Sequence, residues 1–150
     1  MLSPGEFVLY WGTGAIAIAP AQVYTNCAMV IRYASAVVTL AGLFALASGL
    51  AFWFGAARGL VSMHMLLGLL SVAGLWTIGI AQARSSGGSS ILAAFALILG
   101  ALTIYIGLNQ AAMLPGEHHW LVQTGHLILG ILCIGLAHMA SARQRRGAAH

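Results

Sequence analysis

The stretch LLGLLSVAGL at residues 66–75 decides the fold class of this chain. Its apolar residues follow one another without the strict alternation of a half-buried strand, and the apolar run continues on both sides. Only helices and closed β-barrels cross a bilayer, because a span must satisfy its backbone polar groups internally. A continuous apolar run favours the helix, and about 20 such residues suffice for a span. We therefore expect residues 60–83 to form one transmembrane helix.

The composition around this stretch is that of an integral membrane protein. Of the 150 residues, 61% are hydrophobic and 5% are charged, whereas a soluble domain carries about 25% charged residues. Six Arg and two Glu cannot cover the surface of a soluble globule. This excludes a soluble enzyme, a disordered chain and a nucleic-acid binder. The net charge of +4 instead carries information on orientation in a lipid bilayer.

The few charges divide the chain into four apolar windows. Each window lies between two successive charged residues and is long enough for one span and a short turn. Turn-forming residues agree, since a Ser/Gly run at 84–90 and the Pro-Gly pair at 115–116 interrupt the apolar pattern. Short connections make consecutive helices antiparallel. The sequence therefore predicts an all-α, up-down transmembrane four-helix bundle, with spans at 33–55, 60–83, 90–109 and 120–141.

The distribution of Arg between the loops assigns an orientation. With an even number of spans, both ends of the bundle and the middle loop share one side. That side carries five Arg, at 32, 84, 143, 145 and 146, whereas the other side carries Arg58 and Glu117. An excess of positive charge marks the cytoplasmic side. We therefore expect a protein of the cytoplasmic (inner) membrane, with the bundle ends and an Arg-rich tail, residues 143–150, in the cytoplasm.

Residues 1–28 fit a bundle less well than residues 29–142. The apolar run at 7–19 ends at Pro20 and is too short to span comfortably, and Glu6 without a preceding positive charge makes a poor signal peptide. Three interpretations stay open: an interfacial or re-entrant segment, a helix that caps the bundle, or an upstream extension that results from a misassigned start. We treat residues 1–28 as an N-terminal extension that is interfacial or poorly ordered.

The spans contain what reads as an internal repeat. HMLLG at 64–68 in the second span corresponds to HLILG at 126–130 in the fourth, and FALASG at 44–49 corresponds to FALILG at 95–100. The chain is therefore expected to consist of two related helical hairpins. In membrane proteins the interface between repeats is a common place for a functional site. The alternative is that spans rich in Leu, Gly and Ala resemble one another by composition alone.

The two histidines of this repeat are candidate ligands of one cofactor. His64 lies about 6 Å, and His126 about 9 Å, inside its span from the non-cytoplasmic side. Gly68 and Gly130 follow one turn later on the same helix face and leave room for a flat macrocycle. Two neutral imidazoles would give a six-coordinate b-type haem, and the lack of a Cys-x-x-Cys-His motif excludes c-type attachment. Alternatively, each His bonds a neighbouring helix and each Gly allows close packing.

With these elements, residues 30–142 resemble small four-helix cytochrome b-type membrane proteins. These are haem-binding bundles that pass electrons between quinol, membrane enzymes and soluble carriers. The resemblance implies one haem b with His64 and His126 as its axial iron ligands, a quinol or redox-protein partner, and membership of a larger redox complex as one option. A second haem is not expected, because His138 is the only intramembrane candidate near the cytoplasm and the first three spans offer it no partner.

The outer mouth and a second class of function complete the candidates. Glu117, His118 and His119 could accept quinol protons or coordinate a metal, or they could belong to a solvated loop that Trp120 anchors.

The second class of function is a non-redox or pigment-binding accessory subunit of a respiratory or photosynthetic membrane complex, in which a His ligates the magnesium of a chlorophyll. We expect an electron carrier or redox-complex subunit rather than an autonomous enzyme.

Overall fold

The computed structural model of the protein describes the backbone of residues 7–12, 15–56, 58–85 and 89–147, and most side chains from residue 26 onward. Four helices dominate it: α1 Ala21–Trp53, α2 Val61–Arg84, α3 Ser90–Asn109 and α4 His119–Gly147. All four contain segments that are long and apolar enough to cross a membrane. The predicted all-α four-helix bundle is therefore confirmed, and its composition is that of a membrane protein.

The ends of the helices follow the predicted turn signals. α1 ends in a glycine C-cap, where the N–H of Gly55 donates to the carbonyl of Phe52 and φ is 74°. α3 begins after Ser89, whose hydroxyl accepts a backbone N–H of the first turn. The Pro-Gly pair at 115–116 lies between a 3₁₀ turn, Gln110–Ala112, and the start of α4. Each predicted break therefore separates two helices.

The first helix is longer than its predicted span. It begins at Ala21 rather than near residue 33, because no Gly or Pro interrupts the chain between Pro20 and the apolar window. Residues 21–28, which the sequence pattern assigned to the extension, thus belong to α1. Ahead of them, β1 Phe7–Gly12 and β2 Ala15–Pro20 pair as an antiparallel hairpin.

The helices form a ring in which α1 and α3 each contact both α2 and α4, and α2 and α4 also meet across the diagonal. We call one half of the bundle the Arg-rich half, because it ends at Arg32, Arg84 and Arg143. The opposite half, which ends at Arg58 and Glu117, is the distal half. The buried core lies mainly in the Arg-rich half and includes Ile31, Val38, Leu75, Ile78, Ala81, Ala96, Ala137 and Ala140.

Small residues bring the helices together in the Arg-rich half. A Cβ at Gly74 would lie 2.8 Å from Cγ2 of Val38, and one at Gly79 would lie 3.0 Å from Cβ of Ala96. Such close backbone approach is the usual way in which membrane helices associate. In the distal half, by contrast, the described residues of 43–70 and 101–132 include no fully buried side chain. The bundle is therefore tightly packed at one end and open at the other.

Candidate cofactor site

His64 and His126 face each other in the distal half of the bundle. His64 lies in the first turn of α2 and His126 near the start of α4, and both are half-buried. Their ring centroids are 6.4 Å apart and the ring planes are inclined by 58°. The diagonal contact between α2 and α4 thus brings together the two histidines that the sequence matches in depth.

Two neutral imidazoles this close to each other could bind one metal ion between them. The described part of the chain contains no group of three or more His, Cys, Asp or Glu that could hold an ion, whereas a bare transition metal takes three or four protein ligands. A haem needs only the two axial ligands. His64 and His126 are thus the residues that would hold a haem.

The first helix holds the His64 ring. Its Nδ1 lies 3.0 Å from the carbonyl oxygen of Ala45 and 3.0 Å from Oγ of Ser48. With the proton on Nδ1, the ring donates to this carbonyl and Nε2 keeps its lone pair. Phe52 packs against the ring edge-on, with the centroids 5.3 Å apart. Metal-binding histidines commonly donate their second ring N–H to a backbone carbonyl, which fixes the ring and raises its basicity as a ligand.

The His126 ring is packed differently. Its Nδ1 is buried, and no described group is within hydrogen-bond distance. The ring lies against α3, where a Cβ at Gly107 would come within 2.8 Å of Cε1. Gly49 on α1 plays the corresponding part for His64, at 3.3 Å from its Cε1. The positions of both imidazole rings thus depend on two glycines that the sequence pattern did not assign to the site.

A cavity of about 180 Å³ lies between the four helices at the histidines. It exceeds the cavity of about 150 Å³ that holds a benzene molecule in an engineered core. Gly68 and Gly130, the glycines predicted to make room, both line it. A Cβ at Gly68 would meet open space, whereas one at Gly130 would lie 3.1 Å from Cδ2 of Leu46. None of the described lining side chains is charged, and the polar ones besides the histidines are Ser71, Thr103, Gln110, Gln123 and Cys133.

The other candidate residues lie outside the cavity lining. Glu117 and His118 are exposed in the turn before α4, and Nδ1 of His119 lies 3.2 Å from a backbone carbonyl of the preceding loop. A site at the outer mouth therefore stays a prediction. His138 lies in the Arg-rich half, where its Nε2 is 3.1 Å from Oγ1 of Thr39.

Comparison with known protein families, with curated proteins and with solved structures finds no match for this chain. Function therefore has to be inferred from the site, because one bundle architecture hosts many unrelated activities. The facing imidazoles, the hydrogen bonds that orient His64 and the cavity between the helices are the features that point to a function.

Proposed function

We propose that the protein is a membrane electron carrier that binds one haem b between His64 and His126. The observation that carries this proposal is the 6.4 Å separation of two facing imidazole rings in a cavity of the bundle. Both rings are on facing helices and would be the two protein ligands of the haem. His64 and His126 would hold the haem, which would supply one-electron chemistry at this site.

Packing alone does not account for both rings. A hydrogen bond to a neighbouring helix would by itself account for His64, because its Nδ1 lies 3.0 Å from the carbonyl oxygen of Ala45. It does not describe His126, whose buried Nδ1 has no partner among the described groups. An unsatisfied buried polar group costs about 1–3 kcal/mol. A ligand role would use the other ring nitrogen of His126, so it does not depend on a hydrogen bond at Nδ1.

The protein would tune and insulate its cofactor. Haem supplies the one-electron chemistry, and the potential depends on the axial ligands, the burial and the hydrogen bonds that the chain provides. We infer from the Arg distribution that the Arg-rich half faces the cytoplasm, so that the haem lies in the opposite half of the inner membrane. A quinol or a redox protein on that side is the proposed electron partner, whether the chain acts alone or within a larger redox complex.

The absorption spectrum of the purified protein tests this proposal. We expect a b-type reduced-minus-oxidised spectrum with one haem per chain, which His64→Ala and His126→Ala each abolish or convert to a five-coordinate type. His138→Ala is the matched control, because this intramembrane histidine faces Thr39 rather than a second imidazole. A spectrum that neither His64→Ala nor His126→Ala changes would contradict the proposal. Extraction of a chlorophyll instead of haem would favour the pigment-binding alternative.

A further inference from the structure

The cavity at the histidines has a pair of side-chain amides at its distal mouth, from Gln110 and Gln123. Both residues line the cavity, and both are half-buried. Gln123 precedes His126 by three residues on α4, and Gln110 follows Gly107 by three residues on α3. Residues three apart share a helix face, and three residues rise about 4.5 Å. The two glutamines therefore lie about one turn closer to the distal surface than His126 and Gly107.

The hydroxyl groups deeper in the cavity are already engaged by the protein. Oγ1 of Thr103 donates to the carbonyl of Leu99 at 2.7 Å. Oγ of Ser71 donates to a backbone carbonyl of α1 at 3.4 Å. By contrast, the hydrogen bonds among the described residues include none from the side-chain amide of Gln110 or Gln123. The lining thus keeps its available N–H donors at the mouth.

The mouth is also the place where the cavity can best accept an anionic group. None of the described lining side chains is charged, and Arg58, at the same end of the bundle, is exposed and lies outside the lining. Apart from the histidine and the Trp53 indole, the first hairpin lines this end with apolar side chains, including Phe52 and Met65. A buried carboxylate is costly unless it is hydrogen-bonded. A carboxylate of a ligand is therefore expected at the two amides.

We propose that Gln110 and Gln123 bind the propionate carboxylates of the haem, so that this edge of the macrocycle faces the distal mouth. This inference rests on the proposed haem binding. Haem b is an apolar ring that carries two carboxylates at one edge. The Nε2–H groups of the amides donate to the carboxylate oxygens, whose remaining lone pairs accept from water at the mouth. The two glutamines are thus positioning residues, which set the orientation of the haem in its site.

Titration of the apoprotein in detergent with two iron porphyrins tests this orientation. Haemin carries both propionates, whereas iron etioporphyrin carries only methyl and ethyl groups. Gln110→Met and Gln123→Met keep the length of the side chain and remove its donors. Each should weaken haemin binding about three- to tenfold, the factor that one net hydrogen bond contributes. Neither should weaken the binding of iron etioporphyrin.

Thr103→Val is the matched control at the opposite end of the same cavity. It removes a hydroxyl that already donates to the protein and changes the shape of the side chain little. We expect it to change the affinities for both porphyrins by the same factor, because no carboxylate reaches that end. Both porphyrins are titrated into the same apoprotein, so a loss of folded protein would affect both titrations and leave the ratio of the two affinities unchanged.

The possible outcomes separate this inference from the function on which it rests. Equal losses for both porphyrins in the two glutamine variants, or no loss of haemin affinity, would overturn the orientation and keep the haem site. A selective loss of haemin affinity in Thr103→Val would place the carboxylates at the deep end and overturn it as well. If neither porphyrin gives a spectrum that depends on His64 and His126, both proposals are wrong.

Discussion

Gly107→Ala should weaken the proposed haem binding through a clash with the His126 ring. A Cβ at this position would lie 2.8 Å from Cε1 of His126, whereas carbon atoms pack at about 3.5–4.0 Å. The ring would have to move by about 1 Å to restore that contact distance. Overpacking of this size costs about 1–3 kcal/mol, which corresponds to a loss of about 5- to 150-fold in haem affinity.

The cost of this substitution should be larger when the cofactor is bound, because a ligating ring cannot turn away from residue 107. In the apoprotein the His126 ring can turn into the adjacent cavity of about 180 Å³, so that the clash is relieved. Alanine also exceeds glycine in helix propensity by about 1 kcal/mol. We therefore expect the thermal midpoint of the apoprotein to be unchanged or raised in Gly107→Ala, while the haem affinity falls.

Haemin titration of the apoprotein in detergent measures the affinity, and circular dichroism measures the thermal midpoint. Gly49→Ala gives a graded comparison, because its Cβ would lie 3.3 Å from Cε1 of His64 and should cause a smaller loss. Gly135→Ala is the neutral control on α4, since no atom lies within 4 Å of its Cβ position. Equal haem affinities for Gly107→Ala and Gly135→Ala would refute the reasoning, because the bound His126 ring would then not need the space at residue 107.

Three further predictions concern the packed half and the orientation. Gly74→Ala places a Cβ 2.8 Å from Cγ2 of Val38 and should cost about 1–3 kcal/mol, seen as a lower thermal midpoint in detergent. Gln82→Leu removes one buried hydrogen bond together with an Oε1 that has no described partner, so the unfolding free energy should stay within about 1 kcal/mol of wild type. In a chain whose native cysteines are replaced, an impermeant thiol reagent should label Glu117→Cys in intact cells. It should label Ser85→Cys only after lysis. The reverse labelling pattern would show that the protein has the opposite orientation in the membrane.

Most of the fold can be predicted from the positions of a few charges and turn residues. The predicted spans at 60–83 and 90–109 agree with α2 and α3 to within one residue at each end. The extent of the outer helices could not be predicted in this way, since α1 begins at Ala21 and α4 continues to Gly147. A charge-free window reflects the thickness of a membrane, whereas a helix continues until a breaker ends it. Hydropathy therefore locates a span more reliably than it locates a helix end.

The facing histidines could be predicted from their depth, but the residues that support them could not. Contacts between helices depend on the rotation of each helix about its axis, which an apolar sequence with weak periodicity does not define. We therefore predicted Gly68 and Gly130, one turn along from the histidines, whereas Gly49 and Gly107 on neighbouring helices lie against the rings. Ser48 could have been identified from the sequence as a contact of the site, because it is a polar residue inside an apolar span in the same half of the bundle as the histidines.

The facing histidines and the cavity between them both lie in the less tightly packed half of the bundle. The cavity of about 180 Å³ weakens the packing of the bundle, since side chains that line open space lose contacts on one side. Larger apolar residues in place of Gly49, Gly68 and Gly107 would reduce that space. Buried ionisable side chains in a span are also costly, and both facing histidines lie at this cavity. A group bound between the two rings would contact the lining side chains and use both imidazoles, which packing of the polypeptide alone does not do.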